Sequence, residues 1–125
     1  MILLDTNYLI RLLVPGTSEA LAVTQWIKER AELCTSAVCW YEFVCGPVNE
    51  EGVLLVASIL HDRILPFSRE QAAEASRLFN VCGRKRSLRV DAMIAAAAIV
   101  SQSALATENT ADFSVFETQG LRLTT

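Results

Sequence analysis

Ile2-Leu3-Leu4-Asp5-Thr6-Asn7 is the stretch on which the reading of this chain turns. A short unbroken apolar run suits a parallel strand buried on both faces, and Asp-Thr-Asn behind it is turn chemistry, because Asp and Asn bond local backbone. The same unit recurs along the chain. Leu33-Cys34-Thr35 is a second strand, with Ser36 placed to cap the helix that carries Trp40, Tyr41, Glu42 and Phe43. Arg63-Ile64-Leu65 is a third, closed by Pro66. Ala104-Leu105-Ala106-Thr107 is a fourth, and Leu121-Arg122-Leu123 is the last.

Helical spacing fills the intervals. Ala20, Val23, Ile27 and Ala31 predict a helix from about Ser18 to Arg30. Another fits from about Asn49 to Leu60. Ser68-Arg69-Glu70-Gln71 is a capping-box pattern opening a helix to about Cys82. Gly83-Arg84-Lys85-Arg86-Ser87 reads as a basic loop. The helix from about Arg89 to Gln102 is apolar nearly all round and should be buried. Asn109 to Phe116 is a loop or short helix. Strands alternating with helices predict an α/β fold in three layers, with a mainly parallel sheet of about five strands covered on both faces. At 125 residues a single domain, 1–125, is expected.

Composition bounds the function. An apolar fraction of 52% excludes disorder and leaves apolar surface for a partner. The longest apolar run, Ala92 to Val100, is too short for a bilayer, and the N-terminus lacks secretory-signal features. A soluble, cytoplasmic protein with no membrane association is expected. The cysteines Cys34, Cys39, Cys45 and Cys82 form no C-x-x-C pair, and His61 is the only histidine, which argues against a Cys/His zinc site. Buried reduced thiols are the simpler reading. A net charge of −3 excludes a strongly basic nucleic-acid binder, so nucleic acid must be met by a local patch or a bound cation. Phosphate-binding glycine loops and G-x-S-x-G are absent.

In a doubly wound sheet, chemistry collects beyond the carboxyl ends of the strands. Asp5 follows the first strand, Glu42 lies on the helix after the second, and Asp112 comes shortly after the fourth. Asp91 opens the apolar helix. Each has a bland alternative. Asp5 suits a turn, Asp91 suits a helix N-terminus, Glu42 suits a helix surface, and Asp112 suits a cap beside Phe113. As a set they point elsewhere. Carboxylates converging on one pocket repel one another unless a cation joins them, and oxygen-only ligands select hard cations such as Mg²⁺ or Mn²⁺.

The order of these motifs resembles the PIN domain family. Leu3-Leu4-Asp5-Thr6-Asn7 is similar to its opening motif, and Trp40-Tyr41-Glu42 after Thr35-Ser36 to its second acidic motif. Val90-Asp91-Ala92-Met93-Ile94-Ala95-Ala96 is similar to the third. Thr107-Glu108-Asn109-Thr110-Ala111-Asp112-Phe113 is similar to the fourth. The resemblance spans essentially the whole chain. It implies the PIN fold and a Mg²⁺- or Mn²⁺-dependent endoribonuclease, most often the VapC-type toxin of a toxin–antitoxin pair. Such toxins usually dimerise and are silenced by a small antitoxin.

Carried over residue by residue, the resemblance makes Asp5, Glu42, Asp91 and Asp112 the acidic cluster. Asp5, Asp91 and Asp112 are then the metal carboxylates, and Glu42 binds metal or positions water. Thr6, Thr107 and Asn109 are supporting residues. Arg84, Lys85, Arg86 and Arg89, just ahead of the third motif, form a denser basic run than the chain has elsewhere. They read either as RNA-phosphate contacts beside Asp91 or as a solvated loop. The alternative function is a catalytically inactive PIN-like module that binds RNA or protein. A phosphate-transfer domain fits less well, because Asp-Thr-Asn lacks the second adjacent aspartate that chemistry needs.

Overall fold

The structure, a computed structural model, describes residues 1–124, so the last residue of the domain expected over 1–125 lies outside the described residues. Five strands form one parallel sheet: β1 (Ile2–Leu4), β2 (Leu33–Ser36), β3 (Ile64–Leu65), β4 (Ala104–Ala106) and β5 (Arg122–Leu123). Their order is β3-β2-β1-β4-β5. The chain builds outward from β1 to β3, then crosses back to place β4 on the other side of β1. The carboxyl ends of β1 and β4 therefore form the switch point, where helices leave in opposite directions and open a crevice.

The central strand lies deep in the core. Leu3 and Leu4 are fully buried, as are Leu105 and Ala106 beside them. Register places Ile2 opposite Leu33 on one side and opposite Ala104 on the other. The Asp5 amide continues the ladder, donating to the Ala106 carbonyl at 2.9 Å. Buried Thr35 donates its hydroxyl to the Leu4 carbonyl at 2.7 Å, tying β2 to the end of β1.

Among the described residues seven α-helices surround the sheet: α1 (Thr6–Arg11), α2 (Ser18–Lys28), α3 (Ala37–Cys45), α4 (Glu50–Ile59), α5 (Arg69–Val81), α6 (Arg89–Val100) and α7 (Thr110–Phe113). Their caps follow the sequence. Thr17, Ser36, Asn49 and Ser68 each accept from a backbone amide of the first helical turn, contacts worth about 1 kcal/mol apiece. In α6, Ile94 and the run Ala95–Ala98 are buried, as expected of a helix apolar all round. The small side chains let α5 and α6 pack along each other.

Three expectations change. The segment after Asp5 is a helix, α1, rather than an open turn, and Asp5 is its N-cap. The capping box at Ser68 is half made: Ser68 accepts from the Gln71 amide at 3.1 Å, but Gln71 Oε1 is buried without a partner among the described residues. Of the four free thiols, Cys34 and Cys39 are buried, whereas Cys45 is exposed. Among the described residues no helix is long and apolar enough to cross a membrane.

Candidate functional site

Four separate segments bring the acids to the carboxyl end of the sheet. Asp5 is held where β1 becomes α1, and it is only 5% exposed. Every contact to its carboxylate is a donor. Oδ1 accepts from the Thr6 amide at 2.8 Å and from the Cys39 thiol at 3.6 Å, and Oδ2 accepts from the Thr107 hydroxyl at 2.7 Å. These donors fix the carboxylate's orientation. Thr107 also acts as an acceptor, since its hydroxyl oxygen receives the Asn109 amide at 3.0 Å. One hydroxyl thus couples β4 and the following loop to Asp5.

Glu42 reaches the same place from the middle of α3, on an exposed face. Its Oε1 accepts from the Thr6 hydroxyl at 2.7 Å. Asp91 sits half-buried in the first turn of α6, and Asp112 is exposed on α7. Burial pushes the Asp91 carboxyl above the usual aspartate range, and the charges of Asp112, Asp5 and Glu42, in that order, push it further. The four acids therefore share one electrostatic neighbourhood. Among the described residues, no three Asp, Glu, His or Cys side chains are grouped closely enough to hold a metal ion as they stand.

The supporting residues divide. Thr6 and Thr107 touch the acids directly, through the bonds to Glu42 and Asp5. Asn109 contributes backbone: its amide bonds Thr107, and its carbonyl accepts the amides of Asp112 and Phe113 at 3.1 and 3.2 Å. It precedes α7 without a side-chain capping bond.

The basic run also divides. The Arg84 and Arg89 guanidinium groups lie over the Phe79 ring, 5.3 and 5.5 Å from its centroid, and Arg84 donates to Asn80 as well. Lys85 and Arg86 are exposed and make no side-chain hydrogen bond or ion pair among the described residues. Part of the expected loop is a short 3₁₀ turn, Arg86–Leu88, that leads into α6.

Several neighbours of the site carried no signal in the sequence. Cys39 lies against Asp5, and burial, followed by the Asp5 charge, pushes its thiol up to about 12, so it stays a donor. Val38, Tyr41, Phe67, Val90 and Met93 line an apolar recess of about 380 Å³ beside Glu42. Arg11, at the end of α1, extends Nε to Glu19 Oε1 at 2.8 Å and to Glu108 Oε1 at 3.1 Å. Glu19 is 3% exposed and also accepts from Ser18 at 2.7 Å. Its carboxyl is held below the usual range by Ser18, then by the facing Glu108 and, after an opposing effect of burial, by Arg11. Glu108 is pushed up, first by its contact with Glu19. Such pairings join residues far apart in sequence, which periodicity and local motifs do not report.

Comparison with known proteins agrees with this architecture. The PIN domain model matches residues 2–117. The chain belongs to the PIN domain family. Compared by sequence with curated proteins, it has no significant match. Among solved structures, this PIN domain is similar to a toxin–antitoxin complex from Klebsiella pneumoniae, with 26% identity over 91% of each chain and a TM-score of 0.72. It also resembles FitAcB from Neisseria gonorrhoeae, with 24% identity over 100% of this chain and 97% of that one, at a TM-score of 0.73. VapBC2 from Rickettsia felis, bound to a DNA fragment from its promoter, shares 18% identity over 99% and 98% of the two chains, at a TM-score of 0.70.

Proposed function

We propose that this PIN domain is a metal-dependent endoribonuclease, the toxin of a type II toxin–antitoxin pair, that hydrolyses RNA phosphodiester bonds. The observation that carries the reading is the convergence of Asp5, Glu42, Asp91 and Asp112 at the switch point. No cationic side chain is paired with any of these four acids among the described residues, and the Asp91 carboxyl is raised, first by burial and then by the charges of Asp112, Asp5 and Glu42. Acids gathered in this way lack a counter-charge, and an oxygen-only donor set matches Mg²⁺ or Mn²⁺. Asp5, Asp91 and Asp112 would hold the ion, with Glu42 binding it or placing the attacking water. A divalent cation there supplies Lewis-acid stabilisation of the phosphodiester and lowers the pKa of water. The chain's own part is orientation: Thr107 and the Thr6 amide aim Asp5, and the Thr6 hydroxyl aims Glu42.

Lys85 and Arg86 are the cations free to meet RNA phosphates, while Arg84 and Arg89 are engaged by Phe79. Exposed apolar side chains support a small antitoxin and a second copy of the chain as protein partners: Ile10, Val14, Leu54 and Leu55, and Tyr41, Phe67 and Val90 around the recess beside Glu42. The complexes named above are consistent with an antitoxin.

The deciding experiment incubates antitoxin-free protein with a mixed cellular RNA pool in Mg²⁺, in Mn²⁺ and in EDTA. Cleavage should require metal, and Asp5→Ala should reduce it by at least ~10²-fold, the upper range for supporting residues of metal sites. Folded protein that cuts RNA with neither metal would favour the binding-module reading. Replacing Lys85 and Arg86 together by Ala should flatten the salt dependence of single-stranded RNA binding by about 1.4 in the log–log slope, at roughly 0.7 per phosphate contact. An unchanged slope would place the RNA elsewhere.

A further inference from the structure

The loop that delivers Asp112 has little to hold it. Residues 108–112 are exposed, α7 is a single short turn, and its N-cap Asn109 makes no side-chain capping bond. A helix this short does not sustain itself in water. Its anchors are the buried Phe113 at one end and the Thr107 hydroxyl at the other. The link between Arg11 and Glu108 falls on the residue between Thr107 and Asn109.

Arg11 is suited to that link because it is itself held. Its guanidinium is half exposed, and a free arginine there would sample many rotamers, leaving an ordinary surface pair worth little. Glu19 changes this. It is buried in the first turn of α2, with one carboxylate oxygen taken by Ser18 and the other by Arg11 Nε. A path of direct contacts then runs from α2 through Arg11 at the end of α1 to Glu108, and on through Thr107 and Asn109 to Asp112. The helix that Arg11 ends begins immediately after Asp5. The guanidinium therefore ties together the two segments that carry Asp5 and Asp112.

We propose that Arg11, oriented by Glu19, is a positioning residue that fixes the 107–112 loop through Glu108 and so sets Asp112 against Asp5 for metal binding. The proposal rests on the metal-site reading above and names a residue set that acts on that site without touching it.

Glu108→Ala tests it, because this change cuts only the loop arm and leaves the Arg11–Glu19 pair intact. Two measurements are made on the full chain: amide hydrogen exchange over residues 107–113 in metal-free buffer, and Mn²⁺ titration followed by the paramagnetic signal of free Mn²⁺. Exchange in that segment should speed up while other segments keep wild-type rates. The Mn²⁺ concentration at half-saturation should rise about 10- to 100-fold, the range for residues that orient metal ligands. Glu108→Gln should restore both readouts towards wild type, since its amide oxygen can sit against the Arg11 guanidinium and its amide nitrogen can donate to Glu19. Wild-type exchange in Glu108→Ala would overturn the proposal. So would a Glu108→Gln protein indistinguishable from Glu108→Ala. A wild-type protein that takes up no Mn²⁺ would defeat the metal-site reading instead, and the exchange comparison would still decide whether the clamp holds the loop.

Discussion

Two carboxylate groups lie side by side at the carboxyl end of this sheet, and they are built on opposite principles. Glu19 and Glu108 face each other with Arg11 between them, so both have a cation within the protein. Asp5 and Glu42 have hydroxyl, amide and thiol donors, and none of Asp5, Glu42, Asp91 and Asp112 has a cationic partner among the described residues. The first group holds a cation of its own, although Glu108 is still raised by its contact with Glu19. The second holds none, and its Asp91 carboxyl is raised by burial and then by the other three acids. The fold places an arginine beside one pair of acids and leaves the four others without one among the described residues, which is the pattern the proposed metal site requires.

The sharpest way to break this contrast is Thr107→Val, which deletes the donor to Asp5 Oδ2 and the acceptor for the Asn109 amide. Metal-dependent cleavage should fall about 10- to 100-fold, with Mn²⁺ affinity falling in parallel. Full activity in a Thr107→Val protein would mean that Asp5 needs no orientation.

Stability should respond with opposite signs in the two groups. Glu19→Gln removes the acid that the fold has neutralised and should lower Tm in neutral buffer by several degrees. The Glu19 carboxyl is held below its ordinary value, so its contribution is present above the ordinary glutamate pKa of about 4.3 and is lost as pH falls through the folded value. The difference in Tm between wild type and Glu19→Gln should therefore shrink in acid.

Asp91→Asn is the smaller and opposite effect. The Asp91 carboxyl is raised, so in metal-free protein its ionisation costs stability, and that cost appears as pH rises through the folded value. The substitution should raise Tm at neutral pH by an amount on the order of 2 °C and leave it unchanged below the ordinary aspartate pKa of about 3.9. Adding Mn²⁺ should raise the wild-type Tm and reverse the ranking, since a ligand that binds only the folded state stabilises it. A lower metal-free Tm for Asp91→Asn across the whole pH range would erase the distinction between the two groups.

The sequence showed the strands clearly, because runs such as Ile2-Leu3-Leu4 and Ala104-Leu105-Ala106 have few other uses. It also showed the four acids, since three of the chain's aspartates fall where a parallel sheet collects its chemistry. The helix α1 was harder to see. It is six residues long, and Asp5, which caps it, looks the same in sequence as a turn residue. The basic run looked uniform as sequence, but two of its arginines fold back over Phe79, a contact set by how α5 meets α6.

By itself, then, the sequence determined the alternation of buried strands and helices and the kinds of side chain at the strand ends. Both are local properties, fixed by hydrophobic spacing and by the need to cap chain breaks. The tertiary structure alone decided the strand order, with β4 beside β1, and therefore that Thr107 would meet Asp5 across more than a hundred residues of chain. It also decided which acids would receive an arginine. A charge has no local signature of its partner: whether it is neutralised or left for a metal depends on distances and burial that exist only once the helices have packed.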